Sequence, residues 1–127
     1  MRIIIAGGRN FRDYELMKFK MDKILSNVNE PIEIVSGGQC SKDVDTGELY
    51  GADYLGEQYA NEKGYSLMRF PAKWKLHGKA AGMIRNGQMA KYATHLVAFW
   101  DGESKGTENM ISLARKHNLN IRVVRYD

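Results

Sequence analysis

The sequence lacks the features that mark secreted, membrane-spanning or disulfide-stabilised proteins. Its single cysteine, Cys40, has no partner for an internal disulfide bond, and no apolar run approaches the ~18 residues of a membrane-spanning helix. Glycines and Arg9 interrupt the first apolar run too early for a signal-peptide core, so we expect a cytoplasmic protein. The net charge is +4, but no block of like charges predicts a basic tail.

Several well-known binding motifs are also missing. The glycines after the first apolar run do not form G-x-G-x-x-G, and "GESKGT" (102–107) has its lysine in the wrong place for a Walker loop. The acidic segment 39–50 lacks the spacing of a calcium loop, and Cys40 has no His or Cys pattern for zinc. We therefore expect no metal and no cofactor, and we interpret residues 39–50 as a solvated acidic lid.

Short apolar runs alternate with stretches of helical periodicity along the chain. The 127 residues, 43% hydrophobic and 27% charged, have the size and composition of one globular domain, residues 1–127. β-Branched content and flanking turn residues predict strands at 2–6, 32–36, 66–70, 95–100 and 121–126. Apolar spacing predicts helices at 14–25 (with Asp13 as N-cap), 51–64, 78–93 and 107–118.

This alternation is typical of an α/β protein with a parallel sheet covered by helices on both faces. We expect a Rossmann-like three-layer domain whose five strands lie in the order 3-2-1-4-5. Ligands of such sheets bind beyond the carboxyl ends of the strands, where the strand order reverses. That position lies between the first and fourth strands, so residues 7–11 and 101–107 should lie side by side in a site.

The first and second loops carry glycines directly after a strand. Gly7 and Gly8 would let backbone N–H groups approach a ligand, and Arg9 could clamp a carboxylate or phosphate, although a tight turn with a solvated arginine fits equally well. In the second loop the expected site residues are Ser36, Gly37, Gly38 and, at the start of the next helix, Asp53.

The third loop, residues 70–86, mixes aromatic and cationic side chains. Trp74 and Lys79 suit a stacked base and a bound phosphate, although a tryptophan packed on the core and a solvated lysine remain alternatives. Arg85 and Asn86 fall on the following helix, where we expect position 85 to face the site while Met83 and Met89 face elsewhere.

The fourth loop has the composition of a phosphate site at the start of a helix. Asp101 and Gly102 end the strand, Ser104 supplies a hydroxyl, and Gly106 precedes Thr107, the expected N-cap. Free N–H groups and the positive end of the helix dipole attract anions, although Thr107 could simply cap its own helix.

Together these loops resemble the SLOG superfamily, which includes the Lonely Guy phosphoribohydrolases and the DNA-processing protein DprA. The resemblance is carried by "IAGGRNFRD", "SGG" with "GADYLGEQYA", the stretch from "FPAKWKLHGKAAGMIRN" to "DGESKGTENMI", and the closing "IRVV". It is strongest to small bacterial and phage proteins related to YspA, and it covers nearly the whole chain.

The resemblance implies a pocket for a nucleotide or nucleotide-derived ligand, with phosphate at the fourth loop. In the phosphoribohydrolases that loop reads P-G-G-x-G-T-x-x-E, and an arginine completes the site. Gly106 and Thr107 match the G-T pair, and Arg85 looks like the arginine, but Met110 stands at the glutamate position. The missing carboxylate weakens a hydrolase interpretation.

Three functions stay open. We rank first the binding of a nucleotide or nucleotide-derived signal. The likeness to the superfamily also implies a homo-oligomer. An N-glycosidic hydrolase of nucleoside monophosphates, with Arg85 and Asp101 as candidate catalytic residues, is second. Binding of single-stranded nucleic acid, as the relation to DprA permits, is third.

Overall fold

Five parallel strands form the central sheet of the computed structural model, which describes residues 1–126. The strands pair in the order β5-β2-β1-β6-β7, which confirms the predicted order. In chain order, and counting a separate hairpin formed by β3 and β4, the strands are β1 (Arg2–Gly7), β2 (Glu33–Ser36), β3 (Ser41–Lys42), β4 (Leu49–Tyr50), β5 (Ser66–Arg69), β6 (His95–Trp100) and β7 (Asn120–Arg125).

Helices cover both faces of the sheet. They are α1 (Tyr14–Leu25), α2 (Ala52–Lys63), a short α3 (Trp74–His77), α4 (Ala81–Tyr92) and α5 (Lys105–Lys116). As predicted, Asp13 caps α1, and its carboxylate accepts a hydrogen bond from the Leu16 N–H at 3.0 Å. The predicted helix at 78–93 begins later, because a 3₁₀ turn at Gly78–Ala80 joins α3 to α4.

Alternate side chains of the central strands enter two separate cores. Ile3 and Ile5 of β1 pack with α1 and α2, whereas Ile4 packs with α4 and α5 on the opposite face. This alternation follows from the two-residue period of a strand. Because both faces are covered, the central strands are continuous apolar runs rather than alternating ones.

The acidic segment 39–50 contains a hairpin, and its residues 44–49 are exposed, as expected of a solvated segment. Ser41 and Lys42 pair with Leu49 and Tyr50 in antiparallel fashion. The hairpin is fixed to the loop after β1, where Asp43 forms a 3.0 Å ion pair with Arg12. The expectation was wrong for this carboxylate, which binds a neighbouring loop and the N–H groups of its own turn.

Gly7 is required by a close approach between β1, β6 and α2. A Cβ at this position would lie 2.8 Å from the Ala52 Cβ and closer still to the Phe99 carbonyl oxygen. Backbone atoms cannot move aside as the end of a flexible side chain can.

We therefore expect Gly7→Ala to lower the free energy of unfolding by about 1–3 kcal/mol. Gly87→Ala is the matched control, because a Cβ there meets nothing within 4 Å and lies within α4. Removing this helical glycine should stabilise the protein by about 0.5–1 kcal/mol. Urea unfolding measures both changes in the free energy of unfolding. Equal changes for Gly7→Ala and Gly87→Ala would contradict the close approach at Gly7.

Candidate functional site

A pocket of about 580 Å³ opens where β1 and β6 end, at the predicted reversal of strand order. It brings together residues of all four loops that the sequence singled out. The predicted site residues that line it are Gly7, Gly8, Arg9, Asp53, Trp74, Lys79, Arg85, Asn86, Asp101, Ser104, Gly106 and Thr107.

Four predicted residues lie outside the pocket lining, namely Ser36, Gly37, Gly38 and Gly102. The buried Ser36 hydroxyl donates to Glu57 at 2.7 Å and accepts from the Gly38 N–H at 3.0 Å, so it shapes the loop. Gly102 has a φ of 87°, a value that favours glycine, and Arg125 packs against it. Gly37 acts through its carbonyl oxygen, which accepts a hydrogen bond from Arg85.

The fourth loop ends in a helix whose N-cap lies three residues earlier than expected. Ser104, not Thr107, is the N-cap of α5, and its hydroxyl lies 3.5 Å from the Thr107 nitrogen and 3.1 Å from the Thr107 hydroxyl. Among residues 1–126, the N–H groups of Lys105 and Gly106 find no protein acceptor. The helix start therefore presents free N–H groups and the Thr107 hydroxyl beside the pocket.

Asp101 supports this loop with its carboxylate. Its Oδ1 accepts hydrogen bonds from the N–H groups of Glu103 and Ser104, both at 2.8 Å. These two bonds lower the pKa of Asp101 below its usual value. The side chain is thus engaged in holding the turn, which leaves its predicted catalytic role without support from the hydrogen-bond pattern.

Arg85 supplies a buried positive charge to the pocket. Its side chain is only 7% exposed, and its Nε donates to Asn86 Oδ1 at 3.0 Å. Within the described chain no carboxylate lies inside 4 Å of the guanidinium, and Nη2 makes no hydrogen bond. Burial lowers the pKa of Arg85, and an anion in the pocket would supply the missing partner.

Asn86 connects the arginine to the start of α5. Its Nδ2 donates to the Gly106 carbonyl oxygen at 3.3 Å and to Asn109 Oδ1 at 2.9 Å. Together with the bond from Arg85 to Gly37, this makes a hydrogen-bonded chain from the end of β2 to the first turn of α5.

Asp53 brings a carboxylate to the same pocket. It is the second residue of α2, and its Oδ2 accepts from the Gln39 N–H at 3.1 Å. Burial raises its pKa to about 6, against the opposing effects of the Gln39 N–H and the Arg85 charge. Arg85 Nη1 and Asp53 Oδ2 both point at Gly37, where a Cβ would lie within 3 Å of each.

The pocket mouth is more apolar than the sequence predicted. Trp74 is 45% exposed, with the Arg9 guanidinium 5.9 Å from its ring centre. Met83 and Met89, expected to face elsewhere, both line the pocket. They do so because Met89 follows Arg85 by one helical turn and Met83 lies near the exposed helix start.

Sequence reasoning also missed several other lining residues. They are Ala6, Gln39, Ser41, Gly51, Ala52, Gly82, Asn109 and Met110, whereas Asn10 and Lys105 fall within the predicted segments 7–11 and 101–107. Asn109 lies one helical turn after Lys105, so a helix predicted to begin at residue 105 would have indicated Asn109 as well. Met110 is buried, which makes the position of the family glutamate an apolar wall.

Two structural features are absent from the described part of the chain. Residues 1–126 contain no group of three or more His, Cys, Asp or Glu side chains arranged to share a metal ion. No helix in the same range has the length and apolar character needed to cross a membrane.

Comparison with known proteins gives two matches. Residues 1–77 match the sequence model of a family described as the YspA, cpYpsA-related SLOG family. The "Gene 61 protein" of Mycobacterium phage D29 is 26% identical over 124 residues, which cover 93% of this chain and 91% of that protein. No solved structure matches. The family match includes the first two loops and Trp74, whereas Arg85 and the start of α5 lie beyond it.

The raised pKa of Asp53 predicts a pH-dependent stability. The protonated carboxyl stabilises the fold, and this contribution is complete below the unfolded value of 3.8 and is lost as the pH rises past about 6. Asp53→Asn removes the titration, so its stability relative to wild type should increase between pH 4 and pH 7 by up to about 3 kcal/mol.

Denaturant unfolding at several pH values measures this difference. Asp45→Asn is the control, because it removes the same charge from the exposed hairpin tip. A stability difference for Asp53→Asn that stays constant with pH would rule out a raised pKa.

Proposed function

Because the chain belongs to the YspA, cpYpsA-related SLOG family, we propose that it binds a nucleotide or nucleotide-derived molecule in the pocket beyond β1 and β6. The phosphate would lie at the start of α5, between the free N–H groups and Arg85. The loops of β1 and α2 would contact the rest of the ligand. We further propose that the protein acts in the cytoplasm as a homo-oligomer.

The observation that carries this proposal is the buried Arg85 guanidinium, which forms no ion pair within 4 Å in the described part of the chain although Asp53 lies nearby. A buried guanidinium with no directly paired carboxylate costs stability, and an anionic ligand reduces that cost. Lys105 and Gly106, whose N–H groups are uncapped, line the same pocket, and Asn86 bonds both to Arg85 and to the Gly106 carbonyl oxygen. A phosphate group has the charge and the several acceptor oxygens that these donors require.

Trp74 favours a nucleotide over a simpler phosphate. Its ring is partly exposed at the mouth of the pocket, next to Arg9 and Lys79. A base stacked on an indole contributes about 1–3 kcal/mol, and nearby cations suit a phosphate-bearing ligand. The same features would accommodate single-stranded nucleic acid, which stays a prediction from the superfamily likeness.

A second candidate function, hydrolysis of an N-glycosidic bond, is favoured by one observation. Asp53 places a carboxyl group with a pKa of about 6 in the pocket, a value suited to proton transfer near neutral pH. The methionine at position 110 argues against it, since the hydrolase branch carries its glutamate there. We therefore rank binding above hydrolysis.

Loss of the phosphate contacts should weaken binding without unfolding the protein. We expect Arg85→Gln to reduce affinity for inorganic phosphate or nucleoside monophosphates by at least about tenfold, and Thr107→Val by about three- to tenfold. Isothermal titration calorimetry measures the affinities, and thermal unfolding checks the fold.

Arg122→Gln and Thr46→Val are matched controls, because both side chains are exposed and lie outside the pocket. Their affinities should equal wild type. The proposal fails if wild type binds none of phosphate, nucleoside monophosphates, ADP-ribose and NAD, or if the pocket variants bind as well as their controls.

Hydrolysis is tested by incubating the wild-type protein at high concentration with nucleoside monophosphates and analysing the products by chromatography. For a binding protein we expect no free base above the no-protein blank. Release of base that Asp53→Asn abolishes, and Asp45→Asn does not, would establish the second candidate instead.

A further inference from the structure

We infer that Asp53 is the acceptor for the sugar hydroxyls of the bound nucleotide, so that the pocket selects an intact ribose over its deoxy counterparts. The inference rests on the proposed function, because it concerns the ribose of a bound nucleotide. The phosphate contacts proposed above do not bind that part of the ligand. It holds whether the ligand is only bound or also cleaved.

One oxygen of Asp53 is free to meet a ligand. Oδ2 accepts from the Gln39 N–H, whereas Oδ1 takes part in no hydrogen bond among residues 1–126. The same described residues contain no fully buried side-chain oxygen or nitrogen without a partner, so Oδ1 remains in contact with the open pocket. The bond to Gln39 fixes the carboxylate, which leaves Oδ1 in a defined position.

In the described part of the chain, no side chain near Asp53 donates a hydrogen bond to its Oδ1. Arg85 lies nearby but forms no ion pair with Asp53 within 4 Å, and its Nη1 donates to the Gly37 carbonyl oxygen instead. A carboxylate can only accept hydrogen bonds, so the ligand group that faces it must be a donor. At neutral pH the phosphate of a nucleotide is largely dianionic, so it offers few donors and would be repelled by the negative charge.

Asp53 and Arg85 lie close together in the pocket but accept different chemistry. The start of α5 and the buried guanidinium take the anion, and Asp53 takes a neutral donor. In a nucleotide, the donors are the ribose hydroxyls and the amino or ring N–H groups of the bases. The base is assigned to Trp74 at the pocket mouth, which leaves the hydroxyls for Asp53 at the start of α2.

Keeping a carboxylate here is costly for the folded protein. Burial raises its pKa, and no cation within 4 Å compensates its charge. An uncharged residue would avoid that cost, and such local costs are common at sites that bind or transform ligands. A hydroxyl donating to an ionised acceptor gives a charge-assisted hydrogen bond, which is stronger than a neutral one.

The test compares AMP, GMP, CMP and UMP with their 2′,3′-dideoxy counterparts by isothermal titration calorimetry at pH 7.5. We expect wild type to bind each ribonucleotide about tenfold or more tightly than its dideoxy form. In Asp53→Asn this ratio should fall to about threefold or less, because the remaining hydrogen bond is neutral. Asp45→Asn should keep the wild-type ratio.

The outcomes separate this inference from the proposed function. Nucleotides that bind through Arg85 and Thr107 without any ribose preference would overturn the inference alone. A preference that follows the amino group of the base, seen as AMP binding more tightly than IMP in wild type but not in Asp53→Asn, would also overturn it. If phosphate, the ribonucleotides, ADP-ribose and NAD all fail to bind, both proposals fail. Binding of inorganic phosphate without binding of any of these nucleotides also overturns both.

Discussion

The backbone pairing of β1 with two different neighbours determines where everything else in this protein lies. β1 pairs in parallel with β2 on one side and with β6 on the other, through registers that begin at Arg2–Glu33 and Ile3–His95. The chain leaves β1 toward β2 and β5 on one side, and it then crosses from β5 to β6 on the other side of β1. Because the two connections run to opposite sides, their helices do not close over the position between β1 and β6. A crevice therefore forms beyond the ends of these strands.

The crevice is held open and shaped by a few polar contacts between elements. Arg85 on α4 contacts the end of β2, and Asn86 beside it contacts the first turn of α5. These bonds bring a helix that is distant in sequence to the edge of the site. The site is thus made of backbone groups at strand and helix ends, positioned by side chains that are themselves buried.

The sequence was sufficient to predict the strands, their order and the position of the pocket. Runs such as Ile3–Ile5 have the β-branched composition of buried parallel strands, and the alternation with helices leaves few topologies. Arg85 and Asn86 were also predicted to lie at the site, from their position on the helix and from the likeness of Arg85 to the family arginine, and both line the pocket.

Other features depended on contacts that no local pattern contains. Ser104 and Thr107 are both good capping residues, and only the turn held by Asp101 makes the earlier one the N-cap. The hairpin at 41–50 has strands of two residues, too short for any hydrophobic period. The free oxygen of Asp53 follows from one bond to the Gln39 N–H, which lies 14 residues away.

The parallel pairing also has a consequence for the synthesis of the protein on the ribosome. One edge of β1 pairs with β6, which begins at His95, and the Arg2 N–H donates to the Thr94 hydroxyl 92 residues later, so this edge has no partner until most of the chain has emerged. During that interval the strand Ile3–Ile5 is an apolar edge that can pair with other chains. A growing chain completes its two cores, and its binding crevice, only after β6 has emerged.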